Sequence, residues 1–103
     1  MNSPLHVPRA TYRLQLHRGF TLRRALSLVS YLDALGVSHL YLSPLLQARP
    51  GSPHGYDVCD PSRLNPELGT QTDLEALVSA LRRRQMGLVL DIVPNHLAAA
   101  PEN

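Results

Sequence analysis

Hydrophobic positions along this chain recur at two periods. Over ATYRLQL, Tyr12, Leu14 and Leu16 alternate with Thr11, Arg13 and Gln15, a period of two that predicts a β-strand. From Leu22 the apolar positions Ala25, Leu26, Val29 and Leu32 follow at spacings of three and four. That stripe predicts an amphipathic helix, with Thr21 as its N-cap and Gly36 suited to its C-terminal end. VSHLYLS, from Val37 to Ser43, reads as a second strand. The stretch from Pro44 to Gln71 is rich in Pro and Gly and has no sustained period. Thr72 and Glu75 then stand at capping-box spacing, and Leu74, Leu77, Val78 and Leu81 mark a second helix expected to end near Gly87. LVLDIVPNH, beginning at Leu88, predicts a third strand.

The order strand, helix, strand, long loop, helix, strand implies an α/β fold with parallel strands joined by right-handed crossovers. Strands with little outward polarity fit a sheet covered on both faces. A chain of 103 residues holds at most one compact unit, and one this short buries a smaller share of its surface than a larger domain does. Its stability is expected to need a partner or further chain. The long loop is the place to look for function, because loops of that length inside compact domains tend to be functional or disordered.

Charge narrows the picture. The ten basic residues are all Arg, the net charge is +2, and the run Arg82, Arg83, Arg84 falls in the last turn of the second predicted helix, where cations complement the macrodipole. Nucleic-acid binding needs a broader basic face, so it is not expected. Cys59 is the single cysteine and cannot form an intrachain disulfide. The opening MNSPLHVPRATYR lacks the pattern of a secretory signal, and no apolar run reaches membrane-spanning length. A cytoplasmic protein without a membrane partner is the expectation.

In parallel α/β folds functional groups collect where strands end and the following loops begin. Two stretches fall there. In DIVPNH, period two puts Asp91, Val93 and Asn95 on one face, with Ile92 and Pro94 on the other. A buried Asp91 carboxylate must meet donors, a cation or water. One reading is a hydrogen-bonded strand terminus, with Asn95 turning the chain and His96 exposed; the other is substrate contact. No His-x-x-x-His pair or multi-carboxylate cluster surrounds these residues, so neither metal nor cofactor is expected. In SPHGYDVCDP, Gly55 permits close backbone approach, Tyr56 offers a flat apolar face with a polar tip, and Asp57 is a strong acceptor. Sugar rings present matching needs, apolar C–H faces and hydroxyls. An Asx-type turn with Tyr56 capping the core is the alternative.

DIVPNH and HGYD together resemble the α-amylase superfamily, whose glycoside hydrolases and transglycosylases are built on a (β/α)8 barrel. Within it, RATYRLQLHRGFTL, SHLYLSPLLQARPGSPHGYDVCDPSRLNPELG and GLVLDIVPNHLA resemble the maltooligosyl trehalose synthases, from about Arg9 onward. The resemblance implies a partial (β/α)8 TIM barrel over residues 1–103, comprising roughly the first three strands and two helices. A complete barrel takes about 250 residues.

It further implies intramolecular transglucosylation, in which the reducing-end α-1,4 linkage of a maltodextrin becomes an α,α-1,1 linkage. A maltooligosaccharide would be the substrate. Tyr56 would stack on the glucose ring at the cleaved bond, His96 would bond its hydroxyls, and His54 and Asp57 would support or contact the pocket. Asp91, Asn95 and Gly55 would be structural. The family's catalytic carboxylates lie on later strands, so this chain is expected to be inactive alone, as a fragment or as a truncated or split protein. The missing remainder of the barrel would then be a partner. Another α-glucan-active enzyme of the superfamily and a non-catalytic sugar-binding module are the alternatives.

Overall fold

The computed structural model describes residues 10–92. Its elements are β1 (Thr11–Leu14), α1 (Leu22–Ala34), β2 (His39–Leu42), β3 (Leu46–Ala48), β4 (Val58–Leu64), α2 (Gln71–Arg83) and β5 (Gly87–Leu90). Strands β1, β2 and β5 form one parallel sheet in that order, with Thr11, His39 and Gly87 in register. Each crossover steps to the neighbouring strand in the same direction and carries one helix. That sequence of steps suits a sheet that curls towards a barrel, whereas a doubly wound sheet reverses its order.

Helix α1 begins where expected, but the Thr21 side chain makes no capping bond. The Leu68 carbonyl accepts from Leu22 N–H at 2.8 Å, so a distant loop satisfies one of the free donors at the helix start. The helix ends in a Schellman motif: Gly36, at φ 89°, donates to Asp33 O and Val37 donates to Leu32 O.

Helix α2 starts two positions earlier than the sequence spacing suggested. Thr70 is the N-cap, and its hydroxyl accepts from Asp73 N–H at 3.2 Å while the Asp73 carboxylate accepts from Thr70 N–H at 2.9 Å. Thr72 and Glu75 lie inside the helix. Asp73 does what Glu does at the third position of a capping box, and the extended Thr70 backbone, at φ −103° and ψ 170°, is what selects it. The helix also stops before Gly87. Gln85 supplies the left-handed turn at φ 57°, donating to Arg82 O, and Met86 donates to Leu81 O. Gly87 belongs to β5, where a Cβ would lie 2.4 Å from the ring of His39, its partner in register.

The segment between Pro44 and Gln71 holds a structure its sequence pattern hides. Strands β3 and β4 pair antiparallel through Leu46 with Leu64, Gln47 with Asp60 and Ala48 with Val58. The register shifts at both steps, so no alternation survives in the sequence.

Both helices pack against each other and onto the face carrying Leu14, Leu40 and Leu42. Leu22, Ala25, Val29 and Leu32 of α1 and Leu77, Ala80 and Leu81 of α2 complete one buried cluster with Leu16, Leu68 and Met86. Ser43 is buried among them, and its hydroxyl accepts from Leu16 N–H at 2.7 Å, which ties the end of β1 to the end of β2. Among the described residues the helices cover only this face, whereas the sequence pattern suggested both. Thr11, Arg13, His39, Tyr41 and Val89 stand on the other face. A barrel resolves the difference, because its inner face is closed by further strands and not by helices.

Candidate functional site

The C-terminal ends of the three parallel strands carry a connected set of polar side chains. Arg13 comes from β1, Asp91 follows directly after β5, and Tyr56 hangs from the loop between β3 and β4. The Arg13 Nη2 group donates to the Tyr56 hydroxyl at 2.7 Å, and that hydroxyl donates to Asp91 Oδ2. Arg13 Nη2 also stands 3.5 Å from the same carboxylate oxygen. The backbone N–H of Asp91 donates to Leu42 O at 2.9 Å, extending the β2–β5 ladder and fixing where the carboxylate emerges. The Tyr56 phenol is raised above its ordinary value, first by its bond to Asp91 and then by desolvation, with Arg13 pulling the other way.

The loop bearing Tyr56 is fastened from within. Asp57 Oδ1 accepts from the Ser52 hydroxyl at 2.6 Å, and Ser52 Oγ accepts from Gly55 N–H at 2.9 Å. The Ser52 hydroxyl, more than any other group, holds the Asp57 carboxyl below its usual range. Gly55 sits at φ 83°, and a Cβ there would lie 3.3 Å from Pro44 O. Both the backbone conformation and the close approach call for glycine.

His54 Nδ1 accepts from Tyr56 N–H at 2.9 Å. That nitrogen must then carry a lone pair, so its 3.9 Å approach to Asp57 Oδ1 is not an ion pair. The His54 and Tyr56 rings lie near-parallel, with centroids 5.8 Å apart and planes at 26°. The two rings stack, and Tyr56 remains 41% exposed, leaving aromatic surface open at the rim. Such a surface suits the apolar face of a pyranose ring.

Of the residues singled out by sequence, the structure brings His54, Gly55, Tyr56, Asp57 and Asp91 to one rim. Asn95 and His96, with Val93 and Pro94, lie outside the described residues. Arg13, Gln15 and Ser52 had been given no role. Gln15 Oε1 accepts from Arg13 Nη1 at 2.7 Å, and Gln15 Nε2 donates to His54 O at 2.8 Å and to Pro53 O at 3.3 Å. The signal for the first two was present: two polar side chains alternate along a strand of a parallel sheet, where both faces are normally apolar. Ser52 gave no such signal.

A cavity of about 360 Å³ lies beside this rim, lined by Leu45, Leu46, Leu64, Leu74, Leu90 and Asp91 among others. It shares only Asp91 with the polar cluster and is otherwise mostly apolar. Among the described residues no three His, Cys, Asp or Glu side chains converge in a manner that would hold a metal ion, and no helix is long and apolar enough to cross a membrane.

Comparison with known proteins gives the family and fold of this chain. The model of the α-amylase catalytic domain matches residues 21–102. A putative maltooligosyl trehalose synthase of Mycobacterium tuberculosis is 54% identical over 93 residues, covering 85% of this chain and 12% of that protein. The solved maltooligosyltrehalose synthase of Arthrobacter ramosus superposes with a TM-score of 0.82 at 50% identity, over 84% of this chain and 12% of that one. An α-amylase from Geobacillus thermoleovorans, solved with acarbose, superposes with a TM-score of 0.76 at 26% identity, over 89% of this chain and 25% of that one. The chain thus spans about an eighth of the length of the synthases it matches. It belongs to the α-amylase catalytic-domain family, and its three parallel strands and two helices form part of that family's (β/α)8 barrel.

Proposed function

We infer that residues 1–103 are the N-terminal part of a longer catalytic barrel acting on maltodextrins in the cytoplasm. Its reaction is intramolecular transglucosylation, turning the reducing-end α-1,4 linkage into an α,α-1,1 linkage and so making a maltooligosyl trehalose. The observation that carries this reading is the 54% identity to a putative maltooligosyl trehalose synthase over 93 residues, 85% of this chain. The lone Cys59 fits a compartment where disulfides are not formed.

In this reading Tyr56 and His54 offer the flat surface to a glucose ring, His96 bonds its hydroxyls, and Asp57 with Gly55 keeps the loop closed. Asp91 and Asn95 brace the rim. A retaining mechanism needs a carboxylate nucleophile and a second carboxyl group as acid and base, about 5 Å apart on either side of the cleaved bond. Asp91 is engaged by Tyr56 and Arg13, and Asp57 by Ser52, so neither is free for those roles. As the family resemblance implies, the reacting groups belong to other parts of the barrel, and the chain alone is inactive.

The test is product analysis. The full-length protein incubated with maltopentaose should consume its reducing end without releasing glucose, giving a trehalose-terminated product; the isolated chain should give none. Release of new reducing ends by the full-length protein would instead assign it to hydrolysis, as in the amylases it also resembles. Turnover by the isolated chain would refute the placement of the catalytic groups.

A further inference from the structure

Arg13 is the hub of the rim, and nothing in the sugar-binding reading accounts for it. Its guanidinium is forked: Nη2 serves Tyr56 and approaches Asp91, while Nη1 serves Gln15. Gln15 in turn donates to two successive backbone carbonyls, Pro53 and His54, just ahead of Tyr56. The guanidinium carbon also lies 5.6 Å from the ring centroid of Tyr41, its in-register neighbour on β2. One strand residue thus grips the loop at its side chain and, through a second residue, at its backbone. A planar fork with several fixed donors is what arginine offers and lysine does not.

The consequence concerns the tip of Tyr56. A phenol has one proton, here given to Asp91, and one of its acceptor positions is filled by Arg13. The hydroxyl therefore has no proton left for a ligand. What remains open is the ring, with a single acceptor position on the oxygen.

Resting on the proposed sugar-binding role of this rim, we propose that Arg13 is a positioning residue: it holds the Tyr56 hydroxyl against Asp91 and, through Gln15, the adjoining backbone, so that Tyr56 meets a hexose with its ring face and not its hydroxyl. Substrate affinity then depends on Arg13 although Arg13 itself need not touch sugar.

Two measurements on the full-length protein test this. The first needs no substrate. With 3-fluorotyrosine incorporated and the Tyr56 signal assigned by its loss in Tyr56→Phe, the fluorine resonance is followed as pH rises. Arg13→Met should move the Tyr56 ionisation back down towards that of an ordinary phenol, because the released hydroxyl leaves Asp91, whose bond is the main cause of its raised value. Arg23→Gln, which removes an exposed arginine paired with Asp73 away from the rim, should not move it. An unmoved or further raised Tyr56 titration in Arg13→Met, or an equal shift in Arg23→Gln, overturns the clamp.

The second is a double-mutant cycle with maltopentaose. Arg13→Met should raise KM about tenfold in the wild-type background and by less than about twofold once Tyr56→Phe has removed the hydroxyl. Equal effects in both backgrounds would show that Arg13 acts independently of Tyr56 and would overturn the proposal. If the wild-type protein leaves maltopentaose untouched, the sugar reading fails while the fluorine titration still decides the clamp.

Discussion

Arg13 and Tyr56 are 43 positions apart in sequence, yet the guanidinium donates to the phenol oxygen at 2.7 Å and so joins the first strand to the loop after β3. With Asp91 as the third member, the contact unites β1, the loop and the end of β5. Half-exposed charged hydrogen bonds of this kind contribute little to stability, so the arrangement matters mainly for where it puts the Tyr56 ring.

That placement separates two substitutions at Tyr56. In the full-length protein, Tyr56→Ala removes the stacking face and should weaken maltooligosaccharide binding by about 1.5–3 kcal/mol. Tyr56→Phe keeps the face, loses only its anchoring, and should cost less. Calorimetric titration compares the two; equal losses would mean that the ring face carries no binding.

Gly55→Ala should destabilise the loop by about 1–3 kcal/mol, from the left-handed backbone and the crowding against Pro44. Because Gly55 N–H also holds Ser52, the Ser52–Asp57 bond should loosen with it. Amide hydrogen exchange of residues 52–57 in the variant reads this directly. Unchanged protection there would contradict it.

Gln85→Gly offers the opposite sign. Gln85 occupies the left-handed position of the α2 terminus at φ 57°, a conformation that favours glycine. The substitution should stabilise the fold by about 0.5–1 kcal/mol, measured as a raised urea midpoint. A lowered midpoint would show that the Gln side chain contributes something the backbone argument omits.

Asp73 gives the cap of α2 a pH dependence. Its carboxyl is held below the usual range, chiefly by the Thr70 backbone N–H. A carboxyl depressed in the folded state contributes stability that is complete above its unfolded value and is lost as pH falls through the folded one. Thermal melts should therefore drop between about pH 5 and pH 3, and drop less steeply in Asp73→Asn, which keeps an acceptor without the titration. Parallel curves for the two proteins would assign the acid sensitivity elsewhere.

Much of this architecture was legible in the residues themselves. Period two in ATYRLQL and the threes and fours from Leu22 to Leu32 are local consequences of backbone geometry, so the elements they mark form where they should. HGYD and the start of DIVPNH pointed to the rim because strand ends are where a parallel sheet leaves backbone and side chains open. The capping box was misplaced by two residues, since Thr70 with Asp73 and Thr72 with Glu75 both satisfy the spacing and only the entering chain direction chooses between them. Strands β3 and β4 escaped notice because bulged pairing erases alternation.

What the amino-acid order alone determined is the three parallel strands and the two helices that join them, since these follow from periodicity, caps and the length of the crossovers. What only the tertiary structure decided is who meets whom at the rim. The Arg13–Tyr56–Asp91 contact spans 78 positions of chain, from the first strand to the last described one, and no local rule encodes a meeting at that separation. It exists because parallel strands bring their C-terminal ends to one edge, where polar side chains from distant segments must find one another or remain unpaired.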